Sequence, residues 1–244
     1  MSEQGNQTDW ALVADWAVAL GTFLLAFVAV FQDKIRDYFK SPRLDLSIEL
    51  SPPDCHKTTM VDTNSTRDGE SFTNWSAYYY LIRIWNKGKT SARNVEVIVS
   101  DVSKKEGDKY KRIEGFIPDN LLWSTMTKSV ASGKEHRVYC PLISPDTFKH
   151  CNIGHINDPK FRAYVGEDDP TMDISETETV FCFDVNFKSN KLYFLIPPGT
   201  YNFKITAGCE NASTISKYYT MTVSGKFHEE EPKMLNEGLS IKEI

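Results

Sequence analysis

The pattern of apolar and polar positions separates one unbroken apolar segment from a longer region in which the two alternate. The apolar segment runs from Trp10 to Phe31, carries a single charge at Asp15, and has Trp10 and Trp16 near one end. About 20 apolar residues are enough to cross a bilayer as a helix, and aromatic residues favour its interfaces. A buried core helix or a cleaved signal peptide would also be apolar. No Lys or Arg precedes the segment and no small-residue cleavage site follows it, so the sequence predicts a retained transmembrane helix over residues 10–40.

Two features of this segment could give it a role beyond anchoring. Asp15 is either an ion or proton site, a polar contact between packed helices, or an acid tolerated near the interface, and its place near the end of the segment favours the last. Ala17 and Gly21 have the small-xxx-small spacing that lets two helices approach closely. The sequence therefore predicts contact with membrane lipids and makes homo-oligomerisation through the helix a candidate.

Basic residues lie on one side of the apolar segment only. Those that follow it closely are Lys34, Arg36, Lys40 and Arg43. Basic residues next to a span are retained on the cytoplasmic side and attract anionic headgroups. We therefore expect these four residues at the membrane surface, the amino terminus outside, and the carboxyl-terminal domain in the cytoplasm at the inner (cell) membrane.

The rest of the chain is predicted as short strands separated by turns. The residues expected to form strands are 44–50, 77–85, 94–100, 135–140, 161–165, 179–187, 192–196, 201–207 and 216–223. Strands 77–85 and 94–100 are expected to pair with each other, and the last two to form a hairpin. Polar stretches 54–74 and most of 144–175 are expected to be loops. The predicted fold is mainly β, an N-terminal transmembrane α-helix followed by an antiparallel β-sandwich.

This layout divides the chain into four parts. They are a short tail (1–9), the helix with its juxtamembrane extension (10–40), the sandwich (43–225) and an acidic flexible tail (226–244).

Two stretches carry a resemblance to a known class of protein. YLIRIWNKGKTSARNVEVIVSDV resembles an early strand pair of bacterial immunoglobulin-like modules, and PPGTYNFKITAGCENASTISKYYTMTVSG resembles their closing hairpin. The whole chain is similar to uncharacterised bacterial single-pass membrane proteins with a cytoplasmic immunoglobulin-like β-sandwich. That resemblance implies a fold and no reaction. By analogy with such proteins, we expect a ligand sensor or an effector component of a stress or phage-defence system.

Composition narrows the classes of function. The net charge is −5, which gives no electrostatic basis for binding nucleic acid. The five cysteines are odd in number and scattered in spacing, unlike a disulfide framework, and this agrees with a reducing, cytoplasmic location.

The candidate chemistry is concentrated between residues 136 and 155. It consists of His136, Cys140, His150, Cys151 and His155. Cysteine and histidine are zinc ligands, but there is no C-x2-C, and His136 and Cys140 would lie about 13 Å apart on a regular strand. The acidic loop around Glu167 and Asp168 lacks the glycine and spacing of an EF-hand. We therefore assign no catalytic residue, metal ligand or cofactor, and keep a membrane-tethered hydrolase or metal-dependent enzyme using this region as the alternative.

Two groups of side chains are candidates for binding a ligand or partner. Trp75 and Tyr79 lie in an aromatic-rich strand, while Lys104, Lys105, Lys111 and Arg112 form a basic loop. Ordinary sheet surface and a solvated loop are the simpler interpretations of these groups. The leading hypothesis is a membrane-anchored, non-enzymatic module that binds a protein partner or a small-molecule ligand and does not bind nucleic acid.

Overall fold

The computed structural model describes residues 10–66, 69–124, 138–188 and 192–244, with the backbone alone at 33–40, 64–66, 69 and 70. These residues form one long helix, thirteen strands and several short helical turns. The elements are α1 (Trp10–Lys40), β1 (Leu44–Ser47), β2 (Cys55–Thr66), β3 (Gly69–Asn86), β4 (Ala92–Glu106), β5 (Lys109–Arg112), β6 (Asp119–Asn120), β7 (Cys140–Ile143), β8 (Thr147–Asn157), α2 (Arg162–Val165), β9 (Phe181–Phe183), β10 (Leu195–Ile196), β11 (Gly199–Cys209), β12 (Ala212–Val223), α3 (Glu231–Lys233) and β13 (Leu239–Glu243). Residues 1–9 and His136 lie outside the described residues.

Helix α1 is apolar over most of its length. Its segment Trp10–Gln32 has a mean hydropathy of 2.1 and is long enough and apolar enough to cross a membrane. No part of the segment is buried within the protein. The chain divides into two compact units between Ser41 and Pro42, and proline at this point ends the helix because it disfavours the α conformation of the residue before it.

The second unit consists of two antiparallel sheets around one core. The first sheet has the order β1-β3-β8-β9-β10, with β2 beside β3. The second has the order β13-β12-β11-β4-β5, with β6 and β7 also paired to β4. Tyr80 and Ile82 of the first sheet and Phe203 and Tyr219 of the second belong to the same buried cluster. The predicted mainly-β architecture with an antiparallel sandwich is therefore confirmed.

Alternation along the strands explains how the core forms. In β11, Tyr201, Phe203 and Ile205 are buried, and the residues between them are partly exposed. The neighbouring β12 pairs with β11 in the predicted hairpin, and Phe203 lies opposite Tyr219. Successive side chains of a strand point to opposite faces, so one apolar series is enough to fix which face is buried.

The expected pairing of 77–85 with 94–100 was wrong. These segments belong to β3 and β4, which lie in different sheets. Strand β3 pairs with β1 and β2 along one edge and with β8 along the other. Strand β4 pairs with β11 and with β5, β6 and β7. Both edges of each strand are therefore occupied, and residues 87–91 connect one layer to the other.

Three local predictions in the first sheet were also wrong. Much of the expected loop 54–74 is β2 and the start of β3, a ribbon whose exposed side chains give no alternation of burial. The expected loop from residue 144 contains β8, a central strand in which a register irregularity near Gly154 interrupts the period of two. The expected strand 161–165 is a helical turn, Pro159–Phe161, followed by α2.

The carboxyl terminus is part of the sandwich, so the expected flexible tail 226–244 was wrong. Strand β13 pairs with β12 and extends the second sheet. Met234, Leu235, Leu239 and Ile241 are buried. Four apolar side chains placed on one structured segment outweigh the acidic composition that suggested disorder.

Candidate functional site

The outer face of the first sheet carries polar and ionisable side chains in place of an apolar layer. In β3, Tyr78 and Tyr80 are buried in the core, whereas Trp75 and Tyr79 belong to the opposite face. His155 of β8 lies directly opposite Tyr79, and the two rings stack with their centroids 5.2 Å apart. The two aromatic residues singled out from the sequence thus border a buried histidine.

His155 lies between two carboxylates. Its Nδ1 is 2.8 Å from Oδ1 of Asp184, and its Nε2 is 2.7 Å from Oε1 of Glu167. His155, Glu167 and Asp184 are each less than a tenth exposed. With Cys182, which is opposite His155 on β9, these residues form the group called the His155 cluster here.

Further hydrogen bonds orient the Glu167 carboxylate. Asn157 Nδ2 donates to Glu167 Oε2 at 2.9 Å, and Trp75 Nε1 donates to Asn157 Oδ1 at 2.8 Å. Trp75 also stacks on Phe161, with ring centroids 5.9 Å apart. The Trp75 indole at the sheet surface is therefore connected to Glu167 of the cluster through the side-chain amide of Asn157.

A loop carries Glu167 to the sheet. Gly166 ends α2 in the left-handed conformation, with φ of 76°, and the Glu167 amide donates to the Arg162 carbonyl at 2.9 Å. The buried Arg162 guanidinium donates to the carbonyls of Ser175 and Glu178 at 3.0 and 2.7 Å. These contacts hold the loop that supplies Glu167, whereas strand pairing holds His155 and Cys182.

The carboxylates of Asp184 and Glu167 favour the charged form of the His155 imidazole. Burial alone would lower the pKa of His155, but the charge and hydrogen bond of Asp184, together with Glu167, raise it to about 9. Burial raises the pKa of Glu167, yet contacts with His155 and Asn157 more than offset this and leave it below its ordinary value. Burial raises the pKa of the Cys182 thiol well above its ordinary value. At neutral pH, an imidazolium therefore lies between the carboxylates of Asp184 and Glu167 and beside the Cys182 thiol.

This arrangement restricts the chemistry available. An imidazolium that uses both N–H groups on carboxylates has no free lone pair to accept a proton. A buried thiol with a raised pKa is a weak nucleophile. What the cluster offers is a set of ligand atoms, since one atom each of His155, Glu167 and Cys182 lies within 4.8 Å of the others.

A second histidine on the same face contacts a different acid. Asp54 is fully buried, and its Oδ1 is 2.8 Å from Arg83 Nε and 3.0 Å from His150 Nε2. Its backbone carbonyl accepts from the Leu81 amide at 2.8 Å. Glu49 adds a contact of 3.0 Å to the Arg83 guanidinium. Asp54 lies in the connection between β1 and β2, so this network attaches the connection to Arg83 of β3 and His150 of β8.

The structure thus separates the residues that the sequence grouped together between 136 and 155. Cys140 and Cys151 are buried, their thiols lie 3.5 Å and 3.3 Å from backbone carbonyls, and burial raises the pKa of both. His150 contacts Asp54, and His155 contacts Glu167. From the sequence alone, Cys182 has no assigned role, and Glu167 belongs to an acidic loop that lacks the EF-hand pattern. The pairing register of β8 with β9 brings Cys182 beside His155, and the loop after α2 brings Glu167 to it.

The predicted basic group lies on the β4–β5 hairpin of the second sheet, away from the strands that carry Trp75 and Tyr79. Lys104 is opposite Lys111, and Arg112 is opposite Ser103. Lys104 Nζ is 5.9 Å from the centroid of the Tyr201 ring. Lys105, Lys111 and Arg112 are exposed, and within the described parts of the chain none of them forms an ion pair.

The helix residues singled out from the sequence are exposed where they are described. Trp10, Asp15, Trp16, Ala17 and Phe31 are exposed along α1, and a Cβ at Gly21 would meet no atom within 4 Å. The side chains of Lys34, Arg36 and Lys40 are outside the described part of the chain, and Arg43 is exposed. Comparison of the chain with protein-family models, with curated proteins and with solved structures finds no match.

Proposed function

We propose that this chain is a single-pass membrane protein whose β-sandwich is a non-enzymatic binding module. The observation that carries the proposal is α1, in which the 23-residue segment Trp10–Gln32 is apolar and has no buried part. A helix of a soluble domain normally covers its apolar side with other elements of the protein. A bilayer would cover this helix on all sides.

The charge distribution supports a cytoplasmic sandwich. Lys34, Arg36, Lys40 and Arg43 follow the apolar segment and no basic side chain precedes it. That bias favours an amino terminus outside the cell membrane. The free thiols of the sandwich, including the partly exposed Cys209, agree with a reducing compartment.

The histidines and thiols favour binding over catalysis. His155 has both ring nitrogens on carboxylates, and His150 has Nε2 on Asp54. Burial raises the pKa of Cys151 and Cys182 well above the ordinary range for thiols. A nucleophile paired with a free base, as hydrolysis through a covalent intermediate requires, is not present among these residues.

The β4–β5 hairpin is the surface we assign to an anionic partner. Lys104 faces Lys111 across the hairpin, and like charges directly opposite each other destabilise a strand pair. Lys105, Lys109, Lys111 and Arg112 are all exposed. An acidic protein surface or anionic headgroups at the membrane would relieve this repulsion. By analogy with the bacterial single-pass membrane proteins that the sequence resembles, we propose that the module serves as a sensor or effector of a stress or phage-defence system.

Membrane integration is tested by fractionation. The full chain, produced in a bacterial host, should stay in the membrane pellet after an alkaline carbonate wash, and a variant lacking residues 2–41 should be soluble. Protease added to inverted vesicles should digest the sandwich. Release of the full chain by carbonate would contradict the anchor, and protection of the sandwich would contradict its orientation.

Binding by the hairpin is tested separately from anchoring. The soluble variant should bind vesicles containing anionic lipid, and changing Lys105, Lys109, Lys111 and Arg112 to Gln should weaken that binding by up to about a thousandfold, at about 1 kcal/mol for each cation. Changing Lys89, Lys149, Lys226 and Lys242 to Gln removes the same charge at exposed positions elsewhere and is the matched control. Equal loss in both variants would contradict a role for the hairpin.

A further inference from the structure

The His155 cluster has the composition and geometry of a metal site. His155 and Cys182 are register partners on the antiparallel strands β8 and β9, so their side chains leave the same face of the sheet next to each other. The loop after α2 adds the Glu167 carboxylate. One ligand atom from each of these residues lies within 4.8 Å of the other two.

We infer that the His155 cluster binds one zinc ion through His155 Nε2, the Glu167 carboxylate and the Cys182 sulfur, and that binding releases the Nε2 proton of the imidazolium and the thiol proton to solvent. This goes beyond the proposed binding function and does not depend on the membrane anchor. Three protein ligands leave a fourth position of a tetrahedral ion for water or for a ligand of the sandwich.

The types of ligand select the class of metal. Nitrogen, sulfur and carboxylate oxygen together suit zinc, whereas calcium and magnesium prefer oxygen ligands throughout. Lys188 Nζ lies 3.9 Å from Cys182 Sγ, and this cation would have to move away from the sulfur when zinc binds.

The surroundings of the three ligands resemble those of metal sites. A zinc-bound histidine usually gives its other ring nitrogen to a carboxylate, which fixes the ring and its tautomer. Asp184 contacts His155 Nδ1 at 2.8 Å in this way. Asn157 holds the second oxygen of Glu167 at 2.9 Å, and Trp75 holds Asn157. Oδ2 of Asp184 is buried and has no hydrogen-bond partner among the described residues.

A small movement would admit the ion. His155 Nε2 and Glu167 Oε1 are 2.7 Å apart, whereas two ligands of a tetrahedral zinc ion are about 3.3 Å apart. The strands fix His155 and Cys182, but Glu167 follows Gly166 at the start of a loop. An outward shift of the Glu167 carboxylate by roughly half an ångström therefore gives the nitrogen and the oxygen the spacing of two zinc ligands.

Cys182 distinguishes zinc binding from a purely structural role of the cluster. An imidazolium held between Asp184 and Glu167 does not need the sulfur, whereas the zinc site does. Cys151 is the matched control, because it is also a fully buried free thiol but lies on β8 opposite Ile82 of β3. Its sulfur is 3.3 Å from the Leu122 carbonyl.

The experiment uses the full chain in detergent, stripped with a chelator and then supplied with zinc or cobalt. The wild type should retain one zinc ion per chain after gel filtration, and its cobalt form should show thiolate-to-cobalt charge-transfer absorption. Cys182→Ser should abolish that absorption, while Cys151→Ser should keep it. Cys182→Ser and Glu167→Gln should each weaken zinc binding roughly tenfold or more.

Two results would overturn the inference. One is a folded wild type that retains no zinc, and the other is zinc retention that is unchanged in both Cys182→Ser and Glu167→Gln. His155→Gln leaves two buried carboxylates without their partner and could unfold the sandwich. The conclusion therefore rests on Cys182→Ser, whose fold is checked by near-ultraviolet circular dichroism beside Cys151→Ser.

Discussion

His155 should make the stability of the metal-free sandwich depend on pH. Its pKa is about 9 in the folded protein, above the ordinary value of about 6.5. A raised pKa stabilises the fold fully below pH of about 6.5, and this contribution is lost as the pH rises through about 9. In chelator, the free energy of unfolding of fragment 42–244 should fall by on the order of 3 kcal/mol across that window.

The control for this effect is a histidine outside the cluster. His56 is partly exposed and its Nδ1 lies 3.2 Å from the Pro53 carbonyl. Urea unfolding at a series of pH values should show the same slope in the wild type and in His56→Gln. A wild-type curve that is flat between pH 6.5 and 9 would contradict the charged state that we assign to His155.

Gly154 allows the close approach of β8 to β9 next to the His155 cluster, where a larger residue would not fit. A Cβ at this position would be 2.2 Å from the Cys182 carbonyl oxygen and 2.5 Å from the Phe181 ring. Gly154→Ala should therefore lower the free energy of unfolding by roughly 3 kcal/mol, measured by urea denaturation. Gly208→Ala, whose nearest contact would be 3.8 Å away, should change it by less than about 0.5 kcal/mol. Equal stability of the two variants would argue against this close approach.

Part of the candidate site could be predicted from the sequence. His155, Trp75 and Tyr79 were recognisable as residue types with uses in binding, and all three meet on one face of the first sheet. Glu167 and Cys182 were not, because their contacts with His155 depend on a strand register and a loop path. Residue types alone predict neither the register nor the loop path. A shift of one residue in the register would place Cys182 on the other face of the sheet.

At the scale of elements, β13 should contribute substantially to stability. Leu239 is about 1% exposed and lies opposite Val223 of β12. Leu239→Ala should lower the free energy of unfolding by about 2–5 kcal/mol, as measured by urea denaturation. Ser240→Ala on the same strand is the control and should change it by less than about 0.5 kcal/mol. A negligible effect of Leu239→Ala would mean that the carboxyl-terminal strand is only loosely attached.

The elements that could be predicted are those with one buried and one exposed face. Strands β11 and β12 alternate clearly, and the sequence predicted both them and their pairing. In β2, exposed Thr59, Val61 and Thr63 remove the contrast between faces, and the strand is held by hydrogen bonds to β3. A strand that is exposed on both faces shows no periodicity of burial in its sequence, so this kind of element is missed.

At the scale of the whole molecule, the sequence indicates the division into two units more directly than it indicates the protein's activity. The boundary between Ser41 and Pro42 follows from an apolar run, a basic stretch and a proline, all of which are local signals. The sandwich after it is built from contacts between residues far apart in the chain. The proposed membrane anchor therefore depends on residues 10–43, which are adjacent in the chain. The proposed zinc site depends on the paired strands β8 and β9 and on the loop after α2.

The orientation of the protein should follow the basic residues beside α1. Changing Lys34, Arg36, Lys40 and Arg43 to Gln, with Glu3→Lys, Gln4→Lys and Gln7→Lys, reverses the charge bias across the span. Because basic residues within about 15–20 residues of a span resist translocation, the sandwich should move to the outer side of the membrane. Protease added to intact spheroplasts should then digest it.

The control removes the same number of basic residues, four, at positions away from the span. Gln at Lys104, Lys105, Lys111 and Arg112 removes four positive charges from the β4–β5 hairpin. These positions are too distant along the chain to affect topology, so the sandwich should stay protected in spheroplasts. Protection of the sandwich in the reversed variant as well would mean that charge does not set the orientation. Digestion in the unaltered protein would instead place the sandwich outside, where its free thiols would face oxidising conditions.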